Sequence, residues 1–372
     1  MKIAYITLTI PHDKNSWSGT NYYVKKALED IGCTVYCIYG YRKITLKMLF
    51  YKVVAKLLGK NYQGVRSLSC SKGWAKFIVS HLQPETDAIL SLSTIPVACL
   101  ETSIPIFVYV DGVYEYMLGQ GFTKLLNKLE EAHRIEKYAL ERCKRVFTSS
   151  IASAEVIKKC YGISEKKIGI IPLGANLDEI PPKDVVMESI RNKDMQVCRV
   201  LFVGVEWNRK GADIVLRTAK LLYDTGFPVE LHLVGLREIP VQLPPYVVNH
   251  GFISKMGDGL RRLTDLYKNS HFLFVPSVAE AFGLVFCEAG AYGLPSISHN
   301  VGGIPTIIIN GVNGQLFDLG TEPAAFADYI RKIFVDKDTY KELCRNSYLR
   351  FLHELNWTIS GKKLLEQMSI AM

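Results

Sequence analysis

The segment from Val275 to Glu288 carries the densest chemistry in the chain. Its apolar start reads as a buried strand ending at Val275, its middle as a polar loop holding Glu280, and its end as a helix opening near Phe282 and Gly283. The first N–H groups of such a helix have no partner within it and point outward, which makes a site for a diphosphate. Gly283 lets the backbone come close to a ligand, with Ala281, Phe282 and Leu284 beside it as candidate contacts. A carboxylate only accepts hydrogen bonds, so Glu288, in the second turn, suits the paired hydroxyls of a ribose. Glu280, ahead of the helix, is left to face a sugar.

Elements with a clear rhythm must position these residues. From the start, apolar runs of strand length (2–10, 34–38, 88–92, 106–110, 146–148, 168–171) alternate with segments of helical period (21–31, 125–143, 152–161). Pro181 and Pro182 break the pattern, and the charged stretch after them reads as a linker. The rhythm then restarts with strands over 200–203, 230–234, 272–275 and 296–298 and helices over 212–223, 260–268 and 285–292. Helices over 324–335 and 339–355 follow, with a last one beyond Trp357. Strand alternating with helix implies a parallel sheet covered on both faces. The fold class is therefore α/β, with two Rossmann-like doubly wound domains facing a central cleft, and the chemistry belongs in loops that follow strands. The expected divisions are 1–178, 179–355 and a C-terminal helix over 356–372 that packs back towards the first domain.

Glu280 and Glu288, with seven residues between them and Phe282-Gly283 inside, resemble the retaining GT-B glycosyltransferases of family four. The resemblance runs in order through the second domain: Val203-Gly204, Arg209-Lys210-Gly211, Val234-Gly235, His250-Gly251-Phe252, Pro276-Ser277, the two glutamates, Gly302-Gly303-Ile304 and Asn310-Gly311-Val312-Asn313-Gly314. It implies a nucleotide-sugar donor as co-substrate, with no separate cofactor, whose diphosphate is neutralised by Arg209 and Lys210 as its bond to the sugar breaks. The base would rest near Gly251, Phe252 and Ile253, uridine being favoured over guanosine. Family members often carry Arg directly after the strand-ending glycine; here Val205 stands there, so Arg209 would have to supply that charge.

In the first domain, Trp17-Ser18-Gly19-Thr20 stands where the family's glycine-rich loop approaches donor and acceptor, Gly19 and Thr20 offering backbone and hydroxyl donors to phosphate. Asp111 follows a strand end as a catalytic-site candidate touching sugar or acceptor. Relatives often place His-Asp there, whereas this chain reads Val110-Asp111, so a catalytic histidine does not carry over. The resemblance implies retention by front-face attack, in which the leaving phosphate takes the acceptor's proton, and no metal. Asp336-Lys337-Asp338 matches a metal-binding D-x-D pattern, but between two helices it reads as a cap.

The totals agree with a two-domain enzyme: 372 residues, 48% of them hydrophobic. Nine scattered cysteines without a CxxC pair argue against a disulfide framework or zinc site and fit a reducing cytosol. The N-terminus reads as a first strand rather than a signal peptide, and no apolar run reaches the ~18–20 residues that span a bilayer. The net charge of +9 is local: nine basic residues and no acidic one lie between Asp30 and Glu85, and the remaining 36 basic residues balance 36 acids. Within residues 41–66, Lys47, Lys52 and Lys56 interleave with apolar residues at helical spacing, which suits a helix on an anionic membrane surface. The expected partners are thus a nucleotide-sugar donor, a glycan or lipid-linked acceptor and a membrane surface. The expected location is cytoplasmic, peripheral on the inner face, with a role in cell-surface polysaccharide synthesis. A nucleotide-sugar epimerase would share the scaffold without needing these landmarks together. A nucleic-acid binder would need aromatic platforms among the bases, and none is visible.

Overall fold

The computed structural model describes every residue except Asn15, 43–45, 60–61, 63, 122–128 and 256, and omits the side chains of Lys47 and Leu129. Lys43, Lys60, the side chain of Lys47 and the start of the helix expected from Leu125 therefore lie outside the described residues. The chain forms two compact units, one of residues 1–176 with 357–372, the other of residues 177–356.

The first unit has strands β1 (Lys2–Ile6), β2 (Thr34–Ile38), β3 (Ala88–Ser91), β4 (Ile106–Val110), β5 (Arg145–Thr148) and β6 (Ile168–Ile170). They lie in the order β2-β1-β3-β4-β5-β6, every pairing parallel, with Ile3 opposite Ala88 and Phe107 opposite Arg145. All five residues of β4 are buried, as expected of a strand covered on both faces. Because β1 is flanked by β2 on one side and β3 on the other, the connections diverge between β1 and β3, which is where an open parallel sheet leaves a crevice.

The second unit repeats the plan with β7 (Cys198–Val203), β8 (Val229–Val234), β9 (Val247–Asn249), β10 (Phe272–Phe274), β11 (Ser296–His299) and β12 (Gly314–Phe317). Their order is β12-β11-β10-β7-β8-β9, again all parallel, so this sheet diverges between β7 and β10.

Several elements escape periodicity. The stretch after Pro182 is a helix, Lys183–Arg191, because Val186 and Ile190, four residues apart, bury one face; the linker reading fails there. Helix Leu68–His81 was also not legible, nor were β9 and β12, which are three and four residues long. The last helix, Trp357–Ala371, packs on helix Thr20–Asp30, and Trp357 Nε1 donates to Asn176 Oδ1 at 2.8 Å. A Cβ on Gly361 would stand 3.0 Å from that of Ala27, so the two helices approach closely.

Candidate functional site

Divergence of β7 from β10 brings two loops together. After β7 the chain makes a short turn, Trp207–Lys210, and enters helix Ala212–Asp224 through Gly211 at φ +72°. A Cβ there would lie 2.3 Å from the Pro276 carbonyl oxygen, so only glycine lets the loop after β10 approach this closely. Val278 N–H donates to Arg209 O at 2.9 Å and clasps the two loops.

Three charges meet at this junction. Lys210 Nζ donates to Glu280 Oε2, and Arg209 Nη1 stands 3.6 Å from the same oxygen. Lys210 and Glu280 side chains are each 12% exposed, at the boundary between protein and solvent. Arg209 also donates to the Ala279 carbonyl at 3.2 Å and through Nε and Nη2 to Glu206 at 2.9 and 2.7 Å. That hydrogen bond holds the Glu206 carboxyl below the usual carboxylate range. Glu206 was not singled out from the sequence, although its i,i+3 spacing from Arg209 on a helical turn was a usable signal.

Beyond Glu280, the chain passes buried Ala281 and Phe282 and reaches Gly283 at φ +105°, which opens helix Leu284–Ala291 without a side-chain cap. Of the first amides of this helix, which have no partner in a helix's regular ladder, that of Phe286 already donates to the Gly283 carbonyl at 3.0 Å. Gly303 N–H donates to the Glu280 carbonyl at 3.3 Å, tying the Gly302-Gly303 turn to the glutamate loop. Glu288, in the second turn, is only 1% exposed. Its Oε1 pairs with Lys255 Nζ, and its Oε2 accepts from Tyr267 OH at 3.1 Å. Burial first, and then the Glu288 charge, keep the Tyr267 phenol protonated and donating. Neither Lys255 nor Tyr267 was legible as a partner, because the contacts depend on where helix Asp258–Asn269 packs.

Gly251, Phe252 and Ile253 follow the edge strand β9. The Gly251 carbonyl accepts from Gly235 N–H at 2.8 Å, Phe252 is 72% exposed and Ile253 is buried. The D-x-D acid Asp336 caps a helix, accepting from Thr339 N at 3.1 Å. Among the described residues no group of three or more His, Cys, Asp or Glu is placed to hold a metal ion.

In the first unit, the loop after β1 takes Trp17, Ser18 and Gly19 through φ of +48°, +54° and +89°. The non-glycine members are costly there, and the loop is braced: Asn176 Nδ2 donates to Ser18 O at 2.6 Å and Trp17 Nε1 to Asp111 Oδ2 at 2.9 Å. Thr20 is fully buried and its hydroxyl meets no partner among the described residues, so solvent does not reach the group expected to donate to phosphate. Gly19 is buried as well, whereas Asp111 is half-buried and lines the neighbouring cavity. A cavity of about 340 Å³ sits where β1 and β3 diverge, lined by Thr9, Trp17, Ser93, Thr94, Asp111 and other residues including Arg66 and Glu136. A larger cavity, about 670 Å³, lies away from these residues between helices Leu68–His81 and Leu129–Arg142.

Two parallel, doubly wound units of this plan are the GT-B architecture. Residues 198–336 match the family described as glycosyl transferases group 1, and the second unit carries that family's pattern. Among curated relatives, D-inositol 3-phosphate glycosyltransferase of Xylanimonas cellulosilytica is 29% identical over 205 residues, 50% of this chain and 48% of the relative. That of Acidothermus cellulolyticus is 30% identical over 219 residues, 55% of this chain and 48% of the relative. The chain thus spans about half the length of these curated relatives. Sucrose-phosphate synthase from Thermosynechococcus elongatus matches the fold over 100% of both chains, with a TM-score of 0.70 at 19% identity. Anabaena HepE in complex with UDP-glucose matches over 100% of both chains, with a TM-score of 0.66 at 17% identity.

Proposed function

We propose that the protein is a retaining, metal-independent glycosyltransferase that moves a sugar from a nucleotide-sugar, UDP-sugar before GDP-sugar, to a glycan or lipid-linked acceptor. The observation that carries this reading is the convergence of Lys210 and Arg209 on Glu280, beside a helix that starts at Gly283 without a cap. With donor bound, the helix-start amides and the two cations hold the diphosphate, and Glu280 turns from its counter-ions to the sugar. Glu288 accepts from the ribose hydroxyls with the lone pairs that Lys255 and Tyr267 leave over. The bond from the anomeric carbon to the diphosphate oxygen breaks as the acceptor oxygen attacks from the same face. The acceptor's proton passes to that leaving oxygen. Cations that bind the leaving group more tightly as its charge grows lower the barrier. The choice of UDP is supported by HepE, solved with UDP-glucose. A role in surface polysaccharide is supported by WaaG, a glycosyltransferase involved in lipopolysaccharide biosynthesis, which shares the fold with a TM-score of 0.62 at 15% identity. Screening UDP, GDP and their sugars by thermal denaturation tests the reading. The right nucleotide at 100 times its dissociation constant adds about 2.7 kcal/mol of stability, and no shift with any nucleotide sinks it.

A second element of the reading is peripheral attachment to the inner face of a membrane, from the cytoplasm. Helix Leu46–Leu57 buries Ala55 and turns Leu46, Leu49, Phe50, Val53 and Leu57 to solvent, with Leu46 and Leu57 exposed by 87 and 81%. These spacings of three and four place the five on one stripe, beside the exposed Lys52 and Lys56. An exposed apolar stripe next to lysines, in a stretch with no acids, matches an anionic bilayer surface. No helix among the described residues is long and apolar enough to cross a membrane. Replacing Lys52 and Lys56 by Glu removes co-sedimentation with anionic vesicles; unchanged sedimentation overturns attachment.

A further inference from the structure

The cavity at the divergence of β1 and β3 has a charge balance that narrows what fits it. Its described lining holds one cation, Arg66, and two carboxylates, Asp111 and Glu136. Arg66 is committed: Nη1 pairs with Glu136 Oε2 at 2.7 Å, and the guanidinium lies 4.8 Å from the centre of the Tyr114 ring. The Glu136 side chain is 2% exposed. A phosphate that drew Arg66 away would leave this carboxylate buried without its counter-ion, an arrangement proteins strongly disfavour. It would also meet Asp111, fixed in place by the Trp17 indole.

The other polar residues of the wall suit hydroxyl groups, with apolar Leu8, Leu92, Val110 and Met117 beside them. Thr9, Ser93 and Thr94 contribute hydroxyls and Asn21 an amide, which together can donate and accept. Asn21 Nδ2 and Ser16 Oγ both donate to Thr9 Oγ1, at 2.7 and 2.9 Å, so this polar edge is ordered before any ligand arrives. At about 340 Å³ the space is near the lower end of ligand pockets (roughly 300–1,000 Å³), room for one ring rather than a chain of them.

We propose that this cavity receives the acceptor as an uncharged, hydroxyl-rich ring and discriminates against a phosphorylated one. The inference rests on the glycosyltransferase reading and adds the acceptor's chemical class. Arg66, the member of the basic stretch that lines the cavity, does not call for an anionic acceptor, because it is paired with Glu136.

The test measures binding of paired probes to the full chain by ligand-observed NMR: glucose against glucose 6-phosphate, and inositol against inositol 3-phosphate. UDP-induced stabilisation is recorded on the same samples. In at least one pair the neutral ring should bind roughly tenfold more tightly than its phosphorylated partner, since a like charge at close range is costly. Asp111→Asn should narrow that gap severalfold while leaving the UDP shift in place. Thr94→Val removes a hydroxyl and no charge; it should weaken the neutral ring, and it serves if Asp111→Asn does not fold. Equal or tighter binding of the phosphorylated members, no binding in either pair, or a gap unmoved by both variants overturns the proposal. Loss of the UDP shift in the parent protein instead strikes the glycosyltransferase reading.

Discussion

The two units share a plan and differ in how their sites are assembled. Each puts its polar residues where neighbouring strands diverge, between β7 and β10 in the second unit and between β1 and β3 in the first. In the second unit the polar residues cluster in short segments, Glu206 to Lys210 and Glu280 to Glu288. Each segment holds a helix start that gives it chemical meaning on its own. In the first unit the cavity draws its polar residues from five separate segments, the stretch Thr9 to Asn21 and the pair Ser93-Thr94 being joined by Arg66, Asp111 and Glu136. On the proposed reading, donor chemistry, a diphosphate and a ribose, is met by a local device. On the same reading, acceptor chemistry is met by whatever side chains the sheet gathers at its crevice, and is free to change with them.

The sharpest attempt to break this contrast removes the local device. Lys210→Ala should lose roughly 10²–10³ in kcat, the scale of removing one group that stabilises transition-state charge. Arg209→Ala should lose less, since Arg209 is shared with Glu206 and Ala279. Equal activity of Lys210→Ala and the parent in a donor-turnover assay ends the assignment.

Acid should act on the second unit through His271. Buried at the base of its sheet, the ring accepts from Arg199 N at 2.9 Å through Nδ1, which needs an unprotonated nitrogen, and its Nε2 lies 2.6 Å from Asp194 O. Burial, and then the nearby Lys193 charge, push its pKa down to about 4. Between that value and about 6.5 the unfolded chain binds the proton and the folded unit does not. Stability present above pH 6.5 is therefore lost as pH falls towards 4, by on the order of 3 kcal/mol. Urea titrations from pH 7 to 4.5 should show it. His271→Gln should flatten the slope, and an unchanged slope refutes the account.

Backbone fit gives a finer comparison within the second unit. Gly211 and Gly226 have nearly the same φ, +72° and +74°, but a Cβ on Gly226 would meet nothing within 4 Å. Gly226→Ala should cost about 1 kcal/mol from conformation alone, and Gly211→Ala roughly 2–3 kcal/mol, because a clash with Pro276 adds to it. Equal losses in chemical denaturation would mean that the close approach of the β7 and β10 loops is unimportant. The smallest effect belongs to the first unit. Trp17→Phe deletes the hydrogen bond to Asp111, worth about 1–2 kcal/mol, and should raise the acceptor KM severalfold without changing donor KM.

The sequence alone determined the alternation of strand and helix, the doubled α/β plan and the family pattern of the second unit. These follow from short-range causes: side-chain period, helix-start chemistry and glycine at tight turns. Elements with weak local signals were lost, such as β9 with three residues or helix Lys183–Arg191 behind two prolines. Only the tertiary structure decided which charges meet. Lys210 reaches Glu280 and Arg66 reaches Glu136 across 70 residues each, and Trp17 reaches Asp111 across 94. Such contacts depend on strand order, since a sheet laid β2-β1-β3 brings loops together that the chain itself keeps far apart. Composition and spacing do not encode that order directly; it is settled when buried strands and helices pack, and the pairing of charges follows from it.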